Sequence, residues 1–292
     1  MIEKKNEHIK AGLMFASPGL FFFAMVVLIP FFYGFYLTLT NWNGVVNEKT
    51  FVGLSNYIIT INDPEFWNSM LLTLKYVVWV VLLVNIIGFV LGYLLTNGLK
   101  GQNFFRSGFF TPNLIGGIVL GFIWEFLFSR VFVAIGKSSG FESLTSSWLS
   151  SPDTAFWALV IVTVWQLVGY MMLIYISGFT SMSRDVLEAA SIDGATGLRK
   201  VKDVIFPLMM PSVVICTFLT LQRAFMVYDI NLTLTNGGPF KSTVLVAMHV
   251  YDKAFTERLY GIGQAEAIFL FLVVAIISVI QVKTGRSREV EA

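Results

Sequence analysis

Few polar side chains interrupt the apolar runs of this chain, and they gather in two places. Trp165, Gln166 and Tyr170 lie in one run; Thr220, Gln222, Arg223, Tyr228 and Asp229 lie in another. A polar group inside a membrane helix is costly and usually faces a cavity or a partner. Aromatic rings beside amides and a charged donor suit a sugar, whose CH faces pack on rings while its hydroxyls take hydrogen bonds. Thr220, Arg223 and Ala224 share one helical face, which Val227 continues. The candidate solute-pathway residues are therefore Trp165, Gln166, Tyr170, Thr220, Arg223 and Tyr228. Two other readings stay open: a structural pairing of Arg223 with Asp229, and a lipid-facing or packing role for Trp165.

Other chemistry is poorly represented. Gly136-Lys137-Ser138 spells the end of a phosphate-binding loop, but Val131 stands where the loop needs its first glycine. Asn231–Thr233 matches a glycosylation acceptor in spelling only. His8 and His249 are isolated at metal-ligand spacing, and the single Cys216 can build neither a disulfide framework nor a thiolate metal site. No catalytic residue and no metal ligand is expected, so the chain does not read as an enzyme by itself.

The elements that must carry these residues follow from composition. Of 292 residues 56% are hydrophobic and 13% charged, about half the charge of a soluble domain. Net charge is +2, too small to suggest nucleic-acid binding. Apolar runs long enough to cross a bilayer, which takes about 20 residues, occur at roughly Ala11–Leu39, Met70–Leu95, Gly108–Phe128, Thr154–Phe179, Leu208–Val227 and Ile262–Val282. The first is too long for a signal-peptide core and is read as a retained helix. The expected fold is all-α, one membrane domain over residues 1–292 with six spans. No internal repeat or interrupted helix pair, the mark of many stand-alone secondary transporters, is visible. Twelve loop Lys and Arg fall on one side, among them Lys4, Lys5, Lys10, Arg184, Arg199 and Lys200; six fall on the other, including Lys49, Lys241 and Lys253. The richer side should be cytoplasmic, with both termini inside.

Between the fourth and fifth runs stands a polar segment, Ser183 to Pro211: SRDVLEAASIDGATGLRKVKDVIFPLMMP. Arg184 to Ile192 reads as a short helix with Val186, Ala189 and Ala190 on one face. Gly194 suits a left-handed residue ending it. Leu198, Val201 and Ile205 mark a second apolar face, and Pro207 and Pro211 mark a bend on re-entry to the membrane. This is an amphipathic helix–turn–helix over residues 183–207. It could lie on lipid, but small alanines suit close packing into a protein cleft better.

Glu188-Ala189-Ala190, Asp193-Gly194-Ala195 and Phe206-Pro207 together resemble the cytoplasmic EAA loop of inner-membrane permease subunits of binding-protein-dependent ABC importers. Ser183 and Gly197 depart from that pattern. Leu234–Thr243 (LTNGGPFKST), Val250–Phe255 (VYDKAF), Thr40–Trp42 and Asn56–Leu74 resemble the first, maltose-like permease type of carbohydrate importers. The resemblance implies the type I importer permease fold, a bacterial cytoplasmic membrane location and solute contacts from the fourth and fifth helices. It also implies partners: a second homologous permease, two ATPase subunits and an extracytoplasmic solute-binding protein. ATP and Mg would be bound by the ATPases, with no cofactor in this chain. Glu188, Ala189, Ala190, Asp193 and Gly194 would be the ATPase-coupling residues, with Ala189 and Ala190 packed into the ATPase. Sugar is the expected solute, with glycerol phosphate as a related alternative. A stand-alone secondary transporter and a membrane-embedded enzyme are the rival classes.

Overall fold

The computed structural model describes residues 14–287; the loop cations Lys4, Lys5, Lys10 and Arg288 counted above lie outside them. The described chain is helical, and its β-pairing is one isolated bridge between Thr40 and Phe51. Helices α1 (Met14–Leu37), α3 (Pro64–Leu94), α5 (Gly117–Ser139), α6 (Pro152–Ser181) and α12 (Tyr260–Arg286) are each long and apolar enough to cross a bilayer. Counted as one span, the bent pair α8 (Gly197–Leu208) and α9 (Met210–Phe225) is a sixth. Shorter helices are α2 (Ser55–Ile61), α4 (Gln102–Phe110), α7 (Arg184–Ile192), α10 (Asp229–Leu234) and α11 (Val246–Tyr251).

The described chain forms two compact units, residues 14–63 with 250–269 and residues 64–249 with 270–287. In the first, the turn after α1 is held by Asn56, whose Nδ2 donates to the carbonyls of Thr38 and Thr40, both at 2.8 Å. Lys253 meets Glu257 at 3.1 Å and Asp63 at 3.4 Å. Burial alone would pull this ammonium down, but Glu257, Asp63 and Glu266 outweigh burial and raise its pKa above the ordinary lysine value.

The second unit is organised around α6. In its most apolar stretch 67% of residues are buried, against 28% for α3 and 17% for α5. A helix apolar all round belongs inside such a bundle. It meets α3 through a face of small residues: a Cβ added to Gly92 would fall 2.9 Å from Tyr175 Cβ, and one at Gly88 3.5 Å from Met171 Cβ. Close approach of this kind is what small residues permit between membrane helices. Two buried hydroxyls complete the seam, Tyr76 Oη donating to Thr163 Oγ1 and Tyr175 Oη to Asn85 Oδ1, both at 2.6 Å.

Two spans differ from the sequence reading. The third, expected over Gly108–Phe128, is two pieces: α4 ends at Phe110, a 3₁₀ turn covers Thr111–Leu114, Ile115 and Gly116 are extended, and α5 then runs to Ser139. Pro112 has no N–H to give to a helix, which removes a rung of the ladder where the break begins. Arg130 and Lys137, read as loop cations, ride on the last turns of α5. So does Gly136-Lys137-Ser138, which is helix rather than phosphate loop. The fifth span bends by 72° at Met209, between Pro207 and Pro211 as expected. Its α9 has 16 residues, about 24 Å at 1.5 Å per residue, and stops short of the expected Val227. The chain is non-helical over Met226–Tyr228 before α10 begins.

Candidate functional site

The two interruptions face one another. Non-helical backbone at membrane depth is tolerated where it lines a cavity or is buried in protein, and here a cavity of about 310 Å³ lies beside both breaks. It is lined by Gly117 from the third span, Thr163 and Gln166 from α6, and Arg223, Tyr228 and Asp229 from the fifth. Gln166 Nε2 donates to the Ile115 carbonyl at 3.2 Å, supplying a partner to an acceptor that the broken helix leaves over. Arg223 Nη1 donates to Asn113 Oδ1 at 2.9 Å, and its guanidinium lies 5.2 Å from the centroid of the Tyr170 ring. Gln166 and Tyr170 sit one helical turn apart on α6, so both address the same side.

Four of the six pathway candidates thus converge: Gln166, Tyr170, Arg223 and Tyr228. Two do not. Thr220 is fully buried, and its hydroxyl donates to the Cys216 carbonyl of its own helix at 2.7 Å. Back-bonding of this kind is the usual solution for a threonine inside a helix. Trp165 turns away from Gln166, packs edge-on to Trp124 at 5.4 Å, and borders a separate apolar cavity of about 460 Å³ with Ile87 and Phe109. Arg223 and Asp229 do not pair: among the described residues no ion pair within 4.0 Å involves either. Sequence reasoning missed Asn113 and Thr163. The signal for Asn113 was present in Thr111-Pro112-Asn113, a polar triplet with a proline inside an apolar run.

The polar segment after α6 forms as its residue types dictate. Helix α7 closes in a full Schellman motif: Ala195 N donates to Ala190 O at 2.9 Å and Gly194 N to Ser191 O at 3.2 Å. Gly194 supplies the left-handed residue this needs, at φ +79°. Lys200 Nζ donates to Ser191 Oγ at 2.8 Å and ties α8 back to α7. Glu188, Ala189 and Asp193 are exposed, whereas Ala190 is buried within this chain at 9% exposure. Expected to share an outward face with Ala189, Ala190 instead points inward, because one helical step of 100° separates them. The apolar tips are Ile192 and Leu198, each 87% exposed.

One of the early decoys is also resolved. Asn231 is fully buried, its Nδ2 donating to the Thr243 carbonyl at 2.8 Å and to Thr235 Oγ1 at 3.1 Å, so it offers no amide to a glycan. His249 is buried against the Phe66 ring at 6.1 Å.

Five long apolar helices and a bent pair, with two interruptions around one small polar cavity in the second unit, define a polytopic membrane protein. Residues 66–286 match the family described as the inner-membrane component of binding-protein-dependent transport systems. The chain belongs to that family. It is 42% identical over 291 residues, 99% of each chain, to a protein of Thermoanaerobacterium thermosulfurigenes described as a probable starch degradation products transport system permease. It is 31% identical to the multiple sugar-binding transport system permease of Streptococcus mutans, covering 89% of this chain and 90% of that one. A trehalose/maltose transport system permease of Thermococcus litoralis is 29% identical, with 97% and 96% covered. Among solved structures, a bacterial ABC transporter involved in alginate import superposes with a TM-score of 0.80 at 15% identity, over 97% of this chain and 96% of that one. At that identity the likeness establishes the fold, the all-α importer permease fold expected from the sequence. Secondary transporters too can have interrupted helices; family membership decides for the importer.

Proposed function

We propose that this chain is the transmembrane permease of an ATP-driven sugar importer, forming half of the translocation pathway. The observation that carries the reading is the cavity where Gln166, Arg223 and Tyr228 meet between two broken spans. The relatives named above, described as permeases for starch products, multiple sugars and trehalose or maltose, support sugar as the solute. A second homologous permease would supply the other half. Two ATPase subunits would bind ATP and Mg and dock on Glu188, Ala189, Asp193 and Gly194. A solute-binding protein would deliver the sugar from outside; one fold neighbour is a transporter complexed with its pentasaccharide-bound periplasmic protein. Ile192, which the sequence reading did not single out, and Leu198 supply apolar surface for docking.

The pathway role is tested by uptake in vesicles holding the assembled transporter. Gln166→Ala and Arg223→Ala each remove a hydrogen-bonding group, a loss of about 1–3 kcal/mol. Uptake at limiting sugar should fall roughly tenfold or more, while co-purification of the ATPases survives. Unchanged uptake and sugar preference in both variants would move the site elsewhere.

Orientation follows from the loop charges: both termini and α7 inside, Lys241 outside. The single native cysteine, Cys216, is fully buried and gives a quiet background for labelling. An impermeant thiol reagent added outside should label Lys241→Cys and miss Thr196→Cys. The opposite pattern would invert the topology and put the coupling surface on the wrong side for ATP.

A further inference from the structure

We infer that the apolar cavity beside Trp165 holds one acyl chain of an anionic phospholipid, whose phosphate rests on Arg106. The inference needs only that the chain spans a membrane, not that it carries sugar. The cavity, about 460 Å³, is walled by Ile87 and Leu91 of α3, Phe109 of α4, Pro112 of the break, and Trp165 and Val168 of α6. No charged side chain lines it, so an ion or a sugar entering it would lose hydration without finding partners. At membrane depth a lipid tail has the matching character. A methylene takes up about as much space as a water molecule in the liquid, about 30 Å³. The cavity therefore holds about fifteen of them, one acyl chain. A helix is about 10 Å across and fills about 420 Å³ in each turn of about 5.4 Å. A neighbouring span could place no more than one turn here.

Charge at one end selects the headgroup. Arg106 Nη2 donates to the Leu95 carbonyl at 2.7 Å, and Leu95 lies one helical turn, about 6 Å, beyond Leu91 in the cavity wall. That bond caps the end of α3, a usual role for arginine, but it takes one N–H of a group that has several. Arg106 is only partly buried, and among the described residues no ion pair involves it or Lys100. Residues 95–110 hold these two cations and no Asp or Glu. A basic group beside a gap between spans suits an anionic headgroup, and arginine suits phosphate in particular. The same break serves both cavities. Phe109 and Pro112 wall the apolar one, while Asn113 and Ile115 hold Arg223 and Gln166 at the polar one. A bound acyl chain thus braces the segment that positions those two side chains.

Photocrosslinking on the assembled transporter in phosphatidylcholine vesicles tests this. The probe is a phosphatidylglycerol with a diazirine midway along one chain. Peptide mass spectrometry should place adducts on the cavity wall, at Ile87, Phe109 or Val168. Unlabelled phosphatidylglycerol should compete for those adducts at least tenfold better than phosphatidylcholine of the same chains, and inorganic phosphate should not compete. Arg106→Gln keeps an N–H for the Leu95 carbonyl and loses the charge. Its adducts should persist, and the tenfold preference should vanish. Equal competition by both lipids in wild type would make the cavity ordinary lipid-facing surface and overturn the inference. Displacement by inorganic phosphate would overturn it too, marking a site for free phosphate. So would a preference that survives Arg106→Gln, or wild type without adducts in the cavity, which would mark a face covered by another subunit. If Arg106→Gln fails to assemble, the wild-type competition decides by itself.

Discussion

Gly194→Val should abolish sugar uptake while leaving the six spans inserted, with ATP hydrolysis either uncoupled from transport or lost through release of the ATPase. Gly194 sits at φ +79° and ends α7. A left-handed residue costs an L-amino acid about 1–2 kcal/mol, and a β-branched one is a genuine outlier there. Nothing lies within 4 Å of a Cβ added at this position, so the effect comes from backbone strain and not from collision. Relief of that strain would break the two capping bonds, Ala195 N to Ala190 O and Gly194 N to Ser191 O, and swing α8 away from α7. Gly194→Asn is the matched control, because asparagine tolerates the left-handed region; it should retain coupling. Uptake and ATP hydrolysis measured in the same reconstituted vesicles check this. Normal coupling in Gly194→Val would show the turn to be ordinary surface. Ala190→Leu is a less specific probe, since Ala190 is buried in its own chain and overpacking there would strain this subunit directly.

Gly169→Ala should cost transport just as heavily, by another route. A single Cβ at Gly169 would overlap the carbonyl of Phe109 and lie 2.8 Å from the Phe110 nitrogen. Those are backbone atoms at the end of α4, immediately before the break where Asn113 and Ile115 accept hydrogen bonds from Arg223 and Gln166. A flexible side chain could turn aside; backbone must shift as a piece, at about 1–3 kcal/mol or more. The hydrogen bonds from Gln166 and Arg223 to that break would be lost with it. Uptake should fall by more than tenfold, and the assembled transporter should melt at a lower temperature. Gly108→Ala, on α4 with nothing within 4 Å of its added Cβ, should behave as wild type in both assays. A Gly169→Ala protein as active and as stable as wild type would mean that α4 does not rest on α6 at this point.

Much of the architecture was legible because it depends on properties that reside in short stretches. Bilayer thickness sets the length of an apolar run, so five long helices and a bent sixth were countable from composition. Gly194 at a helix end and the two prolines flanking Met209 act through φ preference and a missing N–H, both local, and the turn and the 72° bend are where these residues put them.

What tertiary structure alone decided is which side of each helix faces which neighbour. In a helix apolar all round, such as α6, periodicity names no inward face, so Trp165 stayed a pathway candidate beside Gln166, with a packing role left open, although one borders an apolar cavity and the other a polar one. Thr220 looked like a solute ligand because a hydroxyl is polar in any sequence, but its bond to the Cys216 carbonyl spends it inside the helix. Ala190 looked outward for the same reason. The site joins Gln166 and Arg223 at the cavity wall with Asn113, which holds Arg223, residues more than fifty positions apart in the chain. They meet because the break after α4 packs against the end of α9, and that packing is a property of the tertiary structure, not of either segment.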